Sequence, residues 1–298
     1  KKEIKAQKVL VDYLKNSLVF ATKLEAFIPI AKKLLFSLTA SDAVEACTLL
    51  GSAYQFGIAG SEEAIRAALL QVFHRDQSVR NNVAAVYKDI YLNNDKNQKS
   101  VRQKILACSN ALIDLVKGLQ CGQSPALTQL ILSWYNSQEL NNEVLQILWE
   151  KFTMKIPETT AVESRAALVL ITMIAEAESR IIIDNLELLI KTGLGPRAKT
   201  DLLLARDTCR ALLKIKHESD DVSKTPNRFT NDHDMFPEIL ALFKEHFTST
   251  IEDGYISFAT DAINVIYHLA NKPEHLMKEL IVDVFHQGKF NNSKESEI

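Results

Sequence analysis

No group of residues in this sequence has the spacing that catalysis or metal binding requires. The chain contains no Gly-rich phosphate loop, no His-Glu-x-x-His motif and no Gly-x-Ser-x-Gly motif. Its four cysteines, Cys47, Cys108, Cys121 and Cys209, form no Cys-x-x-Cys pair, and this pattern indicates reduced, buried thiols. We therefore expect a protein that is not an enzyme and that has no cofactor and no small-molecule substrate.

Two places could hold a metal ion, and a simpler interpretation is favoured at both. His268 and His275 are seven residues apart, but Pro273 lies between them and no acidic third ligand is obvious. A solvated polar stripe is the favoured interpretation of these two histidines. The sequence Asp232-His233-Asp234 could chelate a metal, but capping of the helix that follows is favoured.

Basic side chains are the residues best suited to a binding function, because Lys and Arg neutralise nucleic-acid phosphates. Residues 1–40 have an excess of five positive charges and residues 75–119 an excess of four, although the whole chain has a net charge of −2. A helical array that aligns equivalent positions could join these residues into one stripe that meets double-stranded DNA. The alternative, which has equal weight, is that the positive charges are spread over solvated faces and form no stripe. The DNA-contact candidates are Lys32, Lys33, Arg75, Arg80, Lys88, Arg102 and Lys104.

A second possible chemistry is the phosphorylation of Thr225. The sequence Thr225-Pro226-Asn227-Arg228 fits the Ser/Thr-Pro-x-Lys/Arg pattern of cyclin-dependent kinases, and its proline disfavours helix at the preceding residue. The motif lies in the polar segment 217–234, which we predict to be a long loop. Coincidence is the alternative, because such a tetrapeptide occurs by chance roughly 0.2–0.3 times in a chain of this length. Ser124-Pro125 lacks the downstream basic residue and ranks lower.

The elements that must position these residues are predicted to be helices throughout. Val79, Val83, Val86 and Ile90 follow a helical period, and similar patterns run almost from end to end. Only nine Gly and seven Pro interrupt the 298 residues. So few breakers exclude a sandwich or barrel of short strands and argue against an α/β fold with Gly-rich loops.

Breaks between the helical segments recur at intervals of 34 to 53 residues. The units start at Asp42, Asp76, Gln123, Thr160, Thr200 and Asp253. Helix–turn–helix units of about 40–47 residues are typical of HEAT and armadillo arrays. Counting residues 1–38 as a first pair, we predict an all-α solenoid of about seven HEAT-type antiparallel helix pairs over residues 1–290. A disordered tail is predicted at 291–298, and a compact bundle is the weaker alternative. The predicted N-caps include Ser41, Asp76 and Thr160.

The composition is that of an ordinary folded protein without a membrane span. Hydrophobic residues make up 47% of the chain, aromatic residues 7% and charged residues 24%. The longest apolar stretch, residues 166–175, is shorter than the roughly 18–20 residues that span a bilayer. The sequence begins within a helical pattern and has no initiator Met or secretory signal. We therefore expect a slice of a larger nuclear or cytosolic protein.

Six segments, taken in their order and spacing, carry a resemblance to a known family. They are IPIAKKLL (28–35), AYQFG (53–57), AVYKDIYLN (85–93), LQILWEK (145–151), NLELLIKTGL (185–194) and VIYHLA (265–270). Together they resemble the condensin complex subunit 1 family, the HEAT-repeat non-SMC subunits of condensin I. The resemblance runs from about residue 9 to residue 288 and implies a middle portion of a much longer subunit.

The resemblance implies a curved scaffold without catalysis that binds the kleisin chain, contacts an SMC ATPase head and helps to hold double-stranded DNA in chromatin. It implies a role in mitotic chromosome condensation and a location in the nucleus, the cytoplasm and on mitotic chromosomes. It assigns no DNA-contact residue within this stretch. An importin-β-like transport receptor, also built of HEAT pairs, is the alternative. Such receptors are usually distinctly acidic, and the basic amino-terminal units count against one.

Overall fold

The chain folds into two helical units, residues Lys1–Val144 and Leu145–Ile298. The computed structural model describes residues 2–93, 100–120, 122–216, 228–247 and 254–286. Within these ranges no strand occurs, and Phe229 and Ala270 form an isolated β-bridge. The predicted all-α class is confirmed. None of the helices in these ranges combines the length and apolarity needed to cross a lipid bilayer.

The first unit is an array of helix pairs in which corresponding helices of successive pairs lie side by side. Helix α2 packs on α4, and the carboxyl-terminal part of α1 packs on α2 and α3. Packing of each helix on its counterpart in the next pair is the arrangement of a stacked solenoid. The helices are α1 (Lys2–Leu34), α2 (Ala40–Gln55), α3 (Ser61–Ala68, continued by the 3-10 helix Leu69–Phe73), α4 (Gln77–Tyr91), α5 (Val101–Lys117) and α6 (Ser124–Asn136).

The second unit repeats this arrangement with its own helices. Helix α8 packs on α11, α11 packs on α13, and α12 packs on α14. Helix α7 (Asn142–Phe152) begins at the end of the first unit and continues into the second. The other helices are α8 (Ala161–Ala175), α9 (Arg180–Ile183), α10 (Leu186–Gly193), α11 (Leu202–Leu212), α12 (Met235–His246), α13 (Tyr255–Leu269) and α14 (Pro273–His286). The predicted solenoid of antiparallel helix pairs is thus the fold class of both units.

Within the described residues, six helix pairs follow α1. Residues 1–38, counted from the sequence as a first pair, contain one helix of 33 residues instead. Pro29 is the one strong helix breaker in that segment, and it lies near the helix end. It removes one backbone hydrogen bond without stopping the helix. The predicted loop 217–234 is described only from residue 228, and the predicted tail 291–298 lies outside the described residues.

Local capping chemistry determines several of the helix starts. The Asp76 carboxylate accepts a hydrogen bond from a backbone N–H in the first turn of α4. Thr160 and Glu163 form a reciprocal capping box at the start of α8. These two predicted N-caps are confirmed. The prediction for Ser41 is wrong, because that residue lies inside α2 and Thr39 occupies the N-cap position.

The predicted burial of the cysteines is confirmed for the three that the structure describes. Cys47, Cys108 and Cys209 are buried and carry free thiols, and Cys121 lies outside the described residues. Burial raises the pKa of Cys47 to about 12 and that of Cys108 to about 11. Buried thiols of such high pKa are inert core residues rather than nucleophiles.

Helices α2 and α4 approach closely at Gly51. A Cβ atom at this position would overlap with Cγ1 of Val86, and Leu50 beside it is completely buried. Val86 is β-branched and has little rotamer freedom in a helix, so it cannot move aside easily. The absence of a side chain at Gly51 therefore sets the spacing of the two helices.

Gly51→Ala should destabilise the protein, although alanine is the better helix former by about 1 kcal/mol. Overpacking against Val86 typically costs about 1–3 kcal/mol, so we expect a net loss of free energy of unfolding. The second change, Val86→Ala, should relieve the overlap, and the double variant should be more stable than the sum of the two single effects. Urea unfolding of the four proteins measures this. A Gly51→Ala protein that is more stable than the parent would show that the helices can separate at no cost.

Candidate DNA-contact surface

Helices α2 and α4 both begin at one edge of the first unit and end at the opposite edge. The Asn82 side-chain amide donates to Thr48 Oγ1 at 3.0 Å near the middle of both helices. The rings of Tyr54 and Tyr91 lie 6.4 Å apart at the carboxyl-terminal ends. The two helices therefore run in the same direction. Helix α4 has 15 residues and is about 22 Å long at 1.5 Å per residue.

The seven predicted DNA contacts all lie in the first unit and fall into three groups. Lys32 and Lys33 lie in the last turn of α1. Arg75 and Arg80 lie around the amino-terminal end of α4. Lys88, Arg102 and Lys104 lie around its carboxyl-terminal end and the start of α5. Because most of the length of α4 separates the last two groups, the seven residues do not line a single edge.

The group at the carboxyl-terminal end of α4 gathers around Glu139. Lys88 Nζ lies 2.9 Å from Glu139 Oε1, and both side chains are about one-third exposed. Lys104 and Glu139 also line a cavity of about 130 Å³ whose apolar wall includes Leu92 and Ile105. A partly exposed ion pair of this kind contributes little to stability, about 0–1 kcal/mol. Lys88 can therefore exchange Glu139 for a phosphate at small cost.

Arg80 has a structural role that the sequence did not reveal. Its guanidinium donates to the carbonyl oxygens of His74 at 2.5 Å and Arg75 at 2.9 Å, and it contacts the Gln77 side chain. These carbonyls follow the 3-10 helix and would otherwise lack donors. Arg80 thus closes the turn before α4, and the Arg75 side chain is the exposed cation at this end.

The group in α1 combines one paired and one exposed lysine. Lys32 Nζ lies 2.6 Å from Glu63 Oε1 in the first turn of α3. The hydrogen bond from Lys32 lowers the pKa of the Glu63 carboxyl, and the charge of Lys32 adds to this effect. Lys33 is exposed to solvent. The Lys32–Glu63 pair ties α1 to α3.

Two further arginines act as caps between repeats, and no sequence motif announced them. Arg66 Nη1 donates to the Leu115 carbonyl oxygen at 3.1 Å, and a Cβ atom at Gly118 would overlap with its guanidinium. In the second unit, Arg197 Nη1 donates to the Phe152 carbonyl oxygen at 3.0 Å. Each arginine donates to a backbone carbonyl in the last turn of a helix to which it does not itself belong. Their partners lie about 45–50 residues away along the chain, so only the fold brings them together.

The phosphorylation candidate Thr225 lies outside the described residues. The structure describes the chain again from Arg228, where the connector is held against the turn between α13 and α14. Phe229 N–H donates to the Leu269 carbonyl oxygen at 2.8 Å, and Asn271 N–H donates to the Phe229 carbonyl oxygen at 3.0 Å. The connector that carries Thr225 therefore ends at a fixed point of the second unit.

The places weighed for metal binding have structural partners. His268 Nε2 lies 2.8 Å from the Ile215 carbonyl oxygen. His233 Nδ1 accepts a 3.4 Å hydrogen bond from the Met235 N–H at the start of α12, but the side chain of the N-cap residue Asp234 makes no cap hydrogen bond. Across the described ranges, no group of three or more His, Cys, Asp or Glu side chains is placed to hold a metal ion.

Comparison with known proteins finds curated relatives along almost the entire chain. Condensin complex subunit 1 of Xenopus laevis is 28% identical over 286 residues, which is 93% of this chain and 20% of that protein. Condensin-1 complex subunit CAP-D2 of Arabidopsis thaliana is 27% identical over 278 residues, 93% of this chain and 19% of that protein. The Saccharomyces cerevisiae subunit is 22% identical over 296 residues, 92% of this chain and 25% of that protein.

Two other comparisons add no assignment. No family model matches the sequence. A crystal structure of an engineered protein covers 82% of this chain and 98% of its own chain, with 17% identity and a TM-score of 0.28. The chain spans about a fifth of the length of the first two curated relatives.

The relatives are named as subunits of condensin in animals, a plant and fungi. They give no support to an importin-β-like receptor. More than nine-tenths of this chain aligns with these condensin subunits, and its helices stack as repeat pairs, so the chain is similar to condensin complex subunit 1 over nearly its whole length.

Proposed function

We propose that this chain is part of a non-catalytic scaffold subunit of condensin. In this role it binds the kleisin chain, the SMC ATPase head and double-stranded DNA, so that mitotic chromosomes condense. The observation that carries the proposal is the alignment of 93% of the chain with a condensin complex subunit 1. The subunit would act in the nucleus, the cytoplasm and on mitotic chromosomes, as part of a complex with the other condensin subunits.

The part of the proposal that concerns DNA depends on the cations of the first unit. Lys33, Arg75, Arg102 and Lys104 are exposed, and Lys88 forms a partly exposed ion pair with Glu139. Arg80 also donates to backbone carbonyls, so part of its guanidinium is engaged in the turn before α4. Cations fixed on helices can meet the phosphate backbone of a duplex without reading its bases. Binding should therefore be independent of sequence and weaken steeply with salt.

Reversing three exposed charges of the first unit should weaken DNA binding by the subunit–kleisin complex. The variant is Lys33→Glu/Arg102→Glu/Lys104→Glu, and its matched control is Lys155→Glu/Lys191→Glu/Lys278→Glu on exposed positions of the second unit. Each lost phosphate contact should reduce the slope of log affinity against log salt by about 0.9. Fluorescence anisotropy across a salt series measures both quantities. Equal affinities and equal slopes for the two triple variants would remove the first unit from the DNA-binding surface.

Neutralising Glu139 should have the opposite effect on DNA binding. In Glu139→Gln, Lys88 loses the carboxylate that competes with phosphate, and the similar shape of glutamine leaves the surrounding loop in place. We expect tighter binding to DNA and a steeper salt dependence than in the parent complex. Glu158→Gln, at an exposed position of the second unit, removes the same charge elsewhere and serves as the control. An unchanged affinity in Glu139→Gln would show that Lys88 does not reach DNA.

We also propose that phosphorylation of Thr225 regulates the subunit in mitosis. The Arg228 of its motif donates to the Ala270 carbonyl oxygen at 3.3 Å, a weak contact that a kinase can displace. Ser124, the lower-ranked site, is the first residue of α6 and lacks a downstream basic residue. A phosphate on Thr225 adds about −1.5 to −2 charge next to Lys224 and Arg228, which can bind it.

Mass spectrometry of the subunit from mitotic cells should find phosphate on Thr225 and none on Ser124. The measurement uses peptides that cover residues 217–236, together with peptides that contain Ser124. Thr225→Ala cells should then condense chromosomes late, while Ser124→Ala cells keep the normal schedule. Unmodified Thr225 at full peptide coverage, or normal timing in Thr225→Ala cells, would leave the segment a simple connector.

A further inference from the structure

Helix α1 carries a stripe of residues spaced three or four positions apart, and only one end of the stripe is covered. Ile28 and Ala31 are 3% and 0% exposed, where α1 packs on α2 and α3. Toward the amino terminus, Leu10, Tyr13 and Phe20 are 56%, 66% and 67% exposed. The stripe consists of Ala6, Leu10, Tyr13, Ser17, Phe20, Leu24, Ile28 and Ala31. This spacing keeps the side chains on one face of a helix, as in helix–helix seams.

The same half of α1 exposes a second apolar stripe on another side. Ile4, Val11 and Leu18 recur every seven residues and are 59%, 47% and 68% exposed. Val11 follows Leu10 directly, so it points about 100° away from the first stripe. A helix that is apolar on two sides is normally buried among other helices rather than laid on one groove.

Charge distinguishes between the proteins that could cover this half of the helix. Between residues 4 and 23, α1 has four lysines, Lys5, Lys8, Lys15 and Lys23, and one acidic residue, Asp12. A second copy of this chain would bring like charges together along the seam, which is unfavourable. A helix with an apolar face and acidic flanks would be complementary in both respects.

We propose that residues 4–20 of α1 are covered on both stripes by a helix pair from another part of the same subunit, with apolar faces and acidic flanks. Helix pairs of one array can cover a helix on two sides, as neighbouring pairs do in this chain. The curated relatives are about five times as long as the stretch that this chain matches, which leaves ample chain for such a pair. The proposal rests on the proposed function as part of a condensin subunit and is independent of DNA binding.

Hydroxyl-radical footprinting of the full-length subunit, free of other condensin subunits, tests the proposal. Oxidation of Tyr13 and Phe20 should fall several-fold relative to the isolated 298-residue chain. Phe56, which is 83% exposed in the turn after α2, provides the internal reference. Backbone amides of residues 9–20 should also exchange more slowly in the full-length subunit.

Two variants of the full-length subunit distinguish a charge on the first stripe from a charge change on the polar side of α1. Tyr13→Glu and Lys5→Gln change the charge equally, but only Tyr13→Glu places a charge in the covered face. Tyr13→Glu should speed amide exchange over residues 9–20, and Lys5→Gln should not. The proposal is overturned if Tyr13 and Phe20 are oxidised equally in both proteins. It is also overturned if they become protected only when kleisin or SMC subunits are added, or in the isolated chain as its concentration rises. The footprint of the unmodified subunit decides the matter even if Tyr13→Glu fails to fold.

Discussion

The structure depends on one constraint, which is that no helix pair of this chain can bury its own apolar side chains. Leu50, Val83, Leu204 and Val265 are completely buried, and each lies on a helix that packs on its counterpart one pair away. Removal of such aliphatic surface from water is the main source of stability in an array. Close helix spacing follows from the same constraint, as at Gly51, where a side chain would overlap with Val86.

Stacked pairs leave many helix ends inside or beside the array, and basic side chains satisfy them. Arg66, Arg80 and Arg197 donate to backbone carbonyls that follow or end other helical segments. A basic residue in the sequence is therefore not by itself a surface contact. The proposed DNA contact depends on the lysines and arginines that face solvent rather than on the arginines that close helices.

The second unit shows how far a charge can be drawn into such an array. Asp207 is 4% exposed, and its carboxylate lies 2.7 Å from Arg206 Nη2 and 3.5 Å from Arg165 Nε. Burial raises the pKa of the Asp207 carboxyl, although both arginines act in the opposite direction. Arg165 on α8 and Asp207 on α11 thus form an ion pair between two stacked helices. A buried ion pair is weak evidence for stability, because the cost of removing both charges from water can exceed their attraction.

The sequence by itself determined the features that depend on neighbouring residues. Helical period in the valines of α4, the cap at Asp76 and the capping box at Thr160 are local, so the helices and most of their starts could be predicted. The sequence did not predict that α1 is one continuous helix. A single proline within a helical pattern does not show whether the helix ends at that residue or continues through it. The tertiary structure alone decided what each cation does. Lys88 meets Glu139 across 51 residues, and Arg66 meets the Leu115 carbonyl oxygen across 49. Such contacts depend on how one pair stacks on the next, and that information is spread over all the buried side chains rather than held in any motif.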